Sequence, residues 1–302
     1  MKAVVVDNIH KSYGEVKALS GVSFEAGRGE LFGIIGPDGA GKTTLFRIMA
    51  TLLVADQGEC RVDAWDVVKD YRKIRERVGY MPGRFSLYQD LSVEENLTFF
   101  ASVFRTSLAE NYHLVEDIYK QLEPFKRRRA GKLSGGMKQK LALCCALIHK
   151  PSVLFLDEPT TGVDPVSRKE FWEMLRRLQK QDITIIVSTP YMDEAMLCDR
   201  IALIKNGRFM SIDRPQDIIN RFDIPLYAAK SDDMFRLLND LRSYESVDNC
   251  YVSGEYHHFT TAKEHLDITE LTAWLQRKNH THLQIVPIAA TIEDCYMRLA
   301  GD

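Results

Sequence analysis

The sequence lacks the features that mark several large classes of protein. Its longest apolar runs, such as residues 141–148 and 183–187, are far shorter than the roughly 20 residues that a membrane-spanning helix needs. Residues 1–7 have neither the basic region nor the long apolar core of a signal peptide. The six cysteines are scattered and form no Cys-x-x-Cys pair, so a reduced cytoplasmic protein is the simplest interpretation.

An excess of charge of one sign is also missing, and so is a heptad repeat. The chain has 40 Lys and Arg residues against 42 Asp and Glu residues, which gives a net charge of −2. Nucleic-acid-binding domains usually show a basic excess, so we expect no nucleic-acid partner. The basic run at 126–129 is interpreted as a solvated loop, because four charges alone do not make a nucleic-acid site. A length of 302 residues suits about two domains.

What the sequence does contain is a glycine-rich stretch, residues 36–43, that matches the phosphate-binding pattern G-x-x-x-x-G-K-[ST] at every position. It follows an apolar run at 31–35, predicted as a buried strand, and precedes residues 44–53, which have helical spacing. The glycines let successive backbone N–H groups point at one phosphate, and the helix N-terminus adds positive potential. The predicted nucleotide-binding residues are Gly36, Pro37, Asp38, Gly39, Ala40, Gly41, Lys42, Thr43 and Thr44.

A second motif supplies carboxylates for the same site. Residues 153–158 form an apolar strand that ends in Asp-Glu, which places both carboxylates at the carboxyl edge of a sheet. Taken alone, such a strand often only reaches solvent; beside a phosphate loop it predicts a nucleoside triphosphate and Mg²⁺ as ligands. Thr43 and Asp157 would hold Mg²⁺, and Lys42 would reach the β- and γ-phosphates. Glu158 would polarise the attacking water, so Lys42 and Glu158 are the predicted catalytic residues.

A third motif indicates the family. Residues 133–139, Leu-Ser-Gly-Gly-Met-Lys-Gln, precede a predicted helix at 140–148, with Ser134 placed as its N-cap. This segment resembles the signature motif of the ATP-binding cassette (ABC) ATPases. The order of phosphate loop, signature, carboxylate strand and D-loop (residues 162–164) is also the family's order. The resemblance covers about residues 2–220.

The resemblance has consequences for partners. ABC cassettes work in head-to-tail pairs, so Ser134, Gly135 and Gly136 would contact the nucleotide held by a second cassette. That cassette is either an identical chain or, as we favour, a different one. Tyr13 would stack on adenine, although an isolated tyrosine more often belongs to core or surface. A membrane permease is the further partner implied, which would place the chain at the cytoplasmic face of the cell membrane.

The family's fold is also implied for residues 1–222. It is an α/β P-loop NTPase cassette with a RecA-like core, an antiparallel β subdomain and a helical subdomain at about 85–150. Residues 2–30 and 57–66 are predicted as the antiparallel strands. Ser92 is predicted to cap a helix of the helical subdomain. The predicted buried residues of that helix are Leu97, Phe99 and Phe100, and the apolar residues Phe85, Leu87 and Tyr88 are predicted either to meet a permease helix or to join the subdomain core.

Residues 223–302 are predicted as a separate small α+β domain. The order β-α-β-β-α-β-α indicates a ferredoxin-like sandwich, and exporters of the family often carry an accessory domain of this size. Its histidines are expected on opposite faces or in solvent more than around a metal. They are His257, His258, His265, His280 and His282. The predicted strands are 224–229, 247–253, 255–261 and 283–288, and the predicted helices are 231–241, 267–277 and 291–299.

Two positions depart from the family pattern. Gly83 occupies the glutamine position of a segment that resembles the Q-loop, and Pro190 replaces the switch histidine. Proline has neither a side-chain donor nor a backbone N–H, so it cannot hold a γ-phosphate as an imidazole does. Either neighbouring groups or water compensate, or this chain's own site hydrolyses ATP slowly. The second hypothesis is favoured because two positioned groups are missing, although Lys42 and Glu158 are intact.

Three classes of function fit these motifs. The leading one is the ATPase subunit of an ABC transporter, an exporter by analogy with the drug and polysaccharide efflux branch. The second is a soluble ABC protein that acts on ribosomes or DNA, but such proteins usually have two cassettes in one chain or a long coiled-coil insertion. The third is a regulatory ATP-binding module with little turnover of its own.

Overall fold

The computed structural model describes residues 2–261 and 266–301. The chain divides into two compact units, Met1–Pro215 and Gln216–Asp302. The change of character predicted after residue 222 lies close to this division. Within the described residues, no helix is both long enough and apolar enough to cross a membrane.

The first unit is built on two sheets. Its strands are β1 (Lys2–Tyr13), β2 (Val16–Gly27), β3 (Leu31–Ile35), β4 (Gln57–Val62), β5 (Trp65–Asp66), β6 (Val78–Met81), β7 (Val153–Asp157), β8 (Thr184–Thr189), β9 (Arg200–Lys205) and β10 (Arg208–Asp213). One sheet has the order β2-β1-β4-β5 and is antiparallel. The other has the order β10-β9-β3-β8-β7-β6 and is parallel except at β10. These sheets are the predicted β subdomain and core.

Helices surround these sheets. They are α1 (Lys42–Met49), α2 (Tyr71–Arg75), α3 (Val93–Val103), α4 (Tyr112–Leu122), α5 (Gly135–Leu147) and α6 (Pro165–Gln179). A seventh, α7 (Pro215–Asn220), begins at the division between the units, and short 3-10 turns occupy Glu123–Phe125, Ala130–Lys132 and Met192–Leu197. Helices α3, α4 and α5 form the predicted helical subdomain.

The central strands explain why the core forms here. Every residue of β3, β7 and β8 is buried, as expected for parallel strands covered on both faces. The core also contains aromatic pairs: the Phe24 and Phe32 rings stack 5.0 Å apart, and Phe46 meets the edge of Phe155 at 6.3 Å. In the registers that result, Asp157 lies beside Ser188, and Ile35 beside Thr189. The carboxyl ends of three strands therefore meet at one edge.

The helix after the phosphate loop is shorter than predicted. It was expected over residues 44–53, but α1 ends at Met49. Thr51 has a left-handed backbone, with φ of 62°, which a helix does not accommodate. The N–H groups of Leu52 and Leu53 both turn back to the carbonyl of Arg47, at 2.8 and 3.1 Å.

The burial prediction for α3 is partly wrong. Ser92 caps the helix in a capping box with Glu95, as predicted, and Leu97 is buried. Phe99, however, is 39% exposed, and Phe100 is half-buried. The buried face of the helix consists of Val93, Asn96, Leu97 and Ala101. Phe99 lies away from this face because two residues along a helix correspond to about 200° of rotation.

The second unit has the predicted order of elements. They are β11 (Leu226–Lys230), α8 (Met234–Ser243), β12 (Val247–Ser253), β13 (Tyr256–Thr261), α9 (Ile268–Arg277), β14 (Gln284–Pro287) and α10 (Ile292–Ala300). The sheet has the order β12-β13-β11-β14 and is antiparallel throughout, which is the ferredoxin-like arrangement. Residues of α8 and α9 pack on one face around Phe259. One start was wrong: α8 begins at Met234, because Asp233 rather than Ser231 accepts the N–H of Arg236.

The histidines of this unit have separate partners. His257 and His258 lie on opposite faces of β13: one ring contacts the Met234 carbonyl at 2.6 Å, and the other contacts Asp294 at 2.6 Å. His280 contacts Asp240 and His282 contacts Asp232, while His265 lies outside the described residues. Among the residues that the structure describes, no group of three potential metal ligands is present.

A pair of substitutions in α3 tests this packing. Leu97→Ala removes a side chain that is 1% exposed, and we expect it to lower the free energy of unfolding by about 2–5 kcal/mol. Phe99→Ala removes a larger but exposed side chain, and we expect a loss of about 1 kcal/mol or less. Urea unfolding of both variants measures the difference. A larger loss for Phe99→Ala would contradict the observed orientation of α3.

Candidate nucleotide-binding site

The phosphate loop joins β3 to α1 at the sheet edge described above. Gly41, immediately before α1, has φ of 104°, which favours glycine. A Cβ atom at Gly41 would lie 2.4 Å from the carbonyl oxygen of Ala18, and one at Gly36 would lie 2.3 Å from that of Ile204. Neighbouring strands therefore approach the loop too closely for any side chain at these two positions.

Lys42 fills the centre of the loop. The residue is only 3% exposed, and its Nζ donates to the carbonyls of Gly36 at 2.8 Å and Pro37 at 2.9 Å. Nζ also pairs with Glu158 Oε1 at 3.0 Å. A buried ammonium is stable only when it is paired and hydrogen-bonded, and these contacts meet that requirement. The two predicted catalytic residues are thus in direct contact.

Asp157 ends β7 and is buried. Its carboxylate accepts a hydrogen bond from Ser188 Oγ at 2.8 Å, and the Thr43 hydroxyl lies near it. Burial raises the pKa of Asp157, and these two hydroxyls offset part of that effect. A hydroxyl and a carboxylate side by side are the oxygen ligands that Mg²⁺ prefers, so the residues present fit this ion.

Glu158 is held in an uncommon backbone conformation. Its φ is 51°, and its N–H donates to Ser188 at both the carbonyl oxygen (3.1 Å) and Oγ (3.0 Å). Ser188 therefore fixes both carboxylate residues, and the sequence motifs did not single it out. The available signal was its place near the end of a buried strand that neighbours β7.

Glu194 forms a second network that the motifs did not indicate. It is buried and accepts from Thr189 Oγ1 at 2.5 Å, Thr160 Oγ1 at 3.1 Å and Arg168 Nε at 3.1 Å. These donors come from the end of β8, the turn after β7 and helix α6. The Glu194 carboxylate thus connects the segment after β8 to the turn after β7 and to helix α6.

The two positions that depart from the family pattern lie at the site. A Cβ atom at Gly83 would lie 3.0 Å from the Asp157 carbonyl oxygen and 3.7 Å from Glu158 Cβ. Pro190 follows β8 directly, after Thr189, whose carbonyl accepts the Gly36 N–H at 3.3 Å. Both positions are therefore near the phosphate loop and the carboxylates.

The signature residues lie at the N-terminus of helix α5, apart from the phosphate loop. Ser134 caps α5 by accepting the Met137 N–H at 3.3 Å, as predicted, although the helix begins earlier than residue 140. Ser134 and Gly135 are exposed, and a Cβ atom at Gly135 would lie 3.5 Å from the Gly162 carbonyl oxygen. In the described part of the chain, no hydrogen bond joins residues 134–136 to the phosphate loop. An exposed N-terminus of a 13-residue helix can receive an anion from outside.

Tyr13 ends β1 and is exposed. It pairs with Val16 across the β1–β2 turn, and β2 continues to Ala18, which is next to Gly41. This hairpin therefore runs beside the phosphate loop. The stacking role of Tyr13 stays a prediction.

The parallel core, the phosphate loop and the paired carboxylates define a P-loop nucleoside triphosphatase. The family model described as ABC transporter matches residues 19–161. A relative that aligns with nearly the whole chain is also named as an ATP-binding protein of this kind. The chain therefore belongs to the ABC transporter family and is an ATPase of that type. That relative, the Nod factor export ATP-binding protein I of Paraburkholderia xenovorans (strain LB400), is 35% identical over 303 residues, which cover 99% of this chain and 97% of the relative.

Two further comparisons agree with this family assignment. The probable multidrug ABC transporter ATP-binding protein YbhF of Escherichia coli (strain K12) is 42% identical over 214 residues, which cover 69% of this chain. The match spans only 36% of YbhF, so the chain is similar to about a third of that protein. A solved dimeric ATP-binding cassette with bound ADP and phosphate has a TM-score of 0.63 and 27% identity, covering 70% of this chain and 98% of that one.

Removal of the buried cation tests the site. Lys42→Ala should greatly weaken the binding of ATP with Mg²⁺, because the loop then offers no mobile cation to the phosphates. At about 100 times its Kd, a ligand stabilises a fold by about 2.7 kcal/mol, so ATP should raise the melting temperature of the wild type and barely change that of the variant. Lys180→Ala removes an exposed charge from the end of α6 and should keep the full shift. Equal shifts for all three proteins would contradict the site.

Proposed function

We propose that this chain couples ATP binding and hydrolysis to export through a separate membrane permease, at the inner face of the membrane. The observation that supports this most directly is the contact of Lys42 with Glu158 beside the Thr43–Asp157 pair. Export is supported by the names of the relatives, which refer to Nod factor export and multidrug transport. The transported substrate is selected by the permease.

Each site residue has a proposed role. Lys42 binds the β- and γ-phosphates, and Thr43 and Asp157 hold Mg²⁺, which neutralises phosphate charge when bound. Glu158 accepts a proton from the attacking water. Because Lys42 pairs with Glu158 in this structure, transfer of the ammonium to a phosphate would release the carboxylate for that role. Tyr13 stacks on adenine. Residues 38–44 of the loop donate backbone N–H groups, while Gly36 and Pro37 shape its start, since Pro37 has no N–H and that of Gly36 donates to Thr189.

A cavity next to the helical subdomain is the proposed permease site. It has a volume of about 400 Å³, and its walls include Leu52, Tyr80, Phe100 and Phe104. Leu52 is exposed, while Leu87, also on the wall, is buried and belongs to the subdomain core. An apolar cavity of this kind suits one turn of an amphipathic permease helix.

The proposed partner is a second, different cassette. Gly83 and Pro190 remove two groups that act on the γ-phosphate and the water in this chain's own site, and the loss of one such donor typically lowers a rate about 10²–10³-fold. The signature residues Ser134, Gly135 and Gly136 are intact, so the chain can complete the site of a partner that has both groups. The dimeric cassette described above supports pairing in general.

Restoring the missing groups tests the slow site. Gly83→Gln with Pro190→His should raise the ATP turnover of the purified chain, because an amide and an imidazole return to the reacting end. The backbone at residue 83 has no positive φ, and only the Asp157 carbonyl must shift by a few tenths of an ångström. Steady-state phosphate release measures the effect. A fast wild-type rate, unchanged by both substitutions, would show that other groups already act there.

A second pair of variants tests the division of labour. Gly135→Asp should abolish most turnover of the assembled transporter, because a carboxylate there faces the γ-phosphate of the partner's ATP. The structure accommodates a side chain at Gly135, with the Gly162 carbonyl at an ordinary 3.5 Å. Glu158→Gln in this chain should cost much less. If the two variants proved equally damaging in the reconstituted complex, the asymmetric arrangement would be wrong.

A further inference from the structure

The second unit contains a cavity that the nucleotide site does not use. It has a volume of about 420 Å³, at the lower end of the range for small-molecule sites. It lies between helix α10 and the sheet face that carries Tyr251, and all of its walls belong to residues 216–302. Its walls include Phe222, Asp248, Tyr251, Thr260, Asp294 and Arg298.

Two polar groups on the walls have no protein partner. Thr260 is only 4% exposed, and its hydroxyl makes no hydrogen bond to any residue that the structure describes. A hydroxyl on the cavity wall without a protein partner can bond to a molecule inside the cavity. Asp248 is exposed, and its carboxylate forms no ion pair within the described residues. Both groups can accept a hydrogen bond from a molecule in the cavity.

Tyr251 supplies a third acceptor. Its hydroxyl donates to Asp294 Oδ1 at 2.8 Å, which leaves the lone pairs of its own oxygen available. Asp294 also accepts from His258 at 2.6 Å and from Thr291. Burial would raise the pKa of Asp294, but these hydrogen bonds bring it below its ordinary value, so the carboxylate keeps its charge.

Negative charge is in excess around the cavity. The Arg298 guanidinium pairs with Asp223 at 2.7 Å and lies 5.3 Å from the centre of the Phe222 ring, so its charge is already balanced. Asp248 and Asp294 are the other carboxylates on the walls, and Asp294 is in contact with the titratable side chains of both His258 and Tyr251. A cleft with charge of one sign raises the local concentration of the opposite ion.

We propose that this cavity binds the ammonium group of a small organic amine. A primary ammonium has three N–H donors and no acceptor, which matches the acceptors of Asp248, Tyr251 and Thr260. An anion would be repelled by the two carboxylates. A neutral alcohol would form no charge-assisted hydrogen bond, and such bonds are about twice as strong as neutral ones.

The test uses the full-length chain and three probes of matched size. The probes are 4-amino-1-butanol, 1,4-butanediol and 4-hydroxybutanoate, which share a four-carbon chain and one hydroxyl and differ only at the other end. Titration calorimetry should show saturable binding of the amine alone. Asp248→Asn should weaken it about tenfold or more, and Thr260→Val about fivefold.

Asp232→Asn is the matched control. It removes the same charge from the second unit at a residue that does not line the cavity and that contacts Thr281 and His282 instead. Amine binding by this variant should equal that of the wild type. The proposal is overturned if the amine shows no saturation, if the three probes bind alike, or if the control weakens binding as much as Asp248→Asn. Because Asp248 is exposed and unpaired, that comparison stands even if Thr260→Val fails to fold.

Discussion

Lys42 carries a positive charge into a place that water hardly reaches, and the nucleotide site is organised around that charge. The ammonium is compensated by the Glu158 carboxylate and by two carbonyls of its own loop. Without these contacts the cost of burying it would be several kcal/mol. Because the partners are a carboxylate and dipoles, a phosphate group is a natural competitor for the same ammonium. In the proposed function, a phosphate that binds the Lys42 ammonium would at the same time release the Glu158 carboxylate.

The parallel sheet places Lys42 and the two carboxylates next to one another. Strands β3, β7 and β8 are parallel and buried on both faces, so their carboxyl ends reach one edge and the turns that follow them are neighbours. Ser188 uses this arrangement twice, because its hydroxyl donates to Asp157 and accepts the N–H of Glu158. The left-handed backbone of Glu158 is thereby held by a neighbouring strand. Glu194 likewise links separate elements, because it accepts hydrogen bonds from Thr189 at the end of β8 and from Arg168 of α6.

Much of this could be predicted from the sequence, because the phosphate loop, the carboxylate strand and the signature are local patterns with fixed chemistry. The order of strands and helices in the second unit was also readable, since turn residues and periodicity mark each element. Ser188 and Glu194 were not predicted, because their roles arise from strand register and not from their neighbours in sequence. Phe99 was misjudged for a similar reason: apolar character does not tell which helix face packs inward. The end of α1 was not predicted either, because no sequence motif indicates the left-handed backbone of Thr51.

The surroundings of Pro190 bear on whether other groups replace the missing imidazole. The nearest hydroxyl along the chain, that of Thr189, already donates to Glu194 at 2.5 Å, and Ser188 already donates to Asp157. Gln89 is exposed, and its backbone carbonyl accepts the N–H of Gly131, so its segment is tied to the helical subdomain. If Thr189 or Ser188 turned to a γ-phosphate, Glu194 or Asp157 would lose one of its hydrogen bonds, which is costly for a buried carboxylate. The proposed slow site would be useful beside a competent one, and the proposed partner would require the intact signature of this chain.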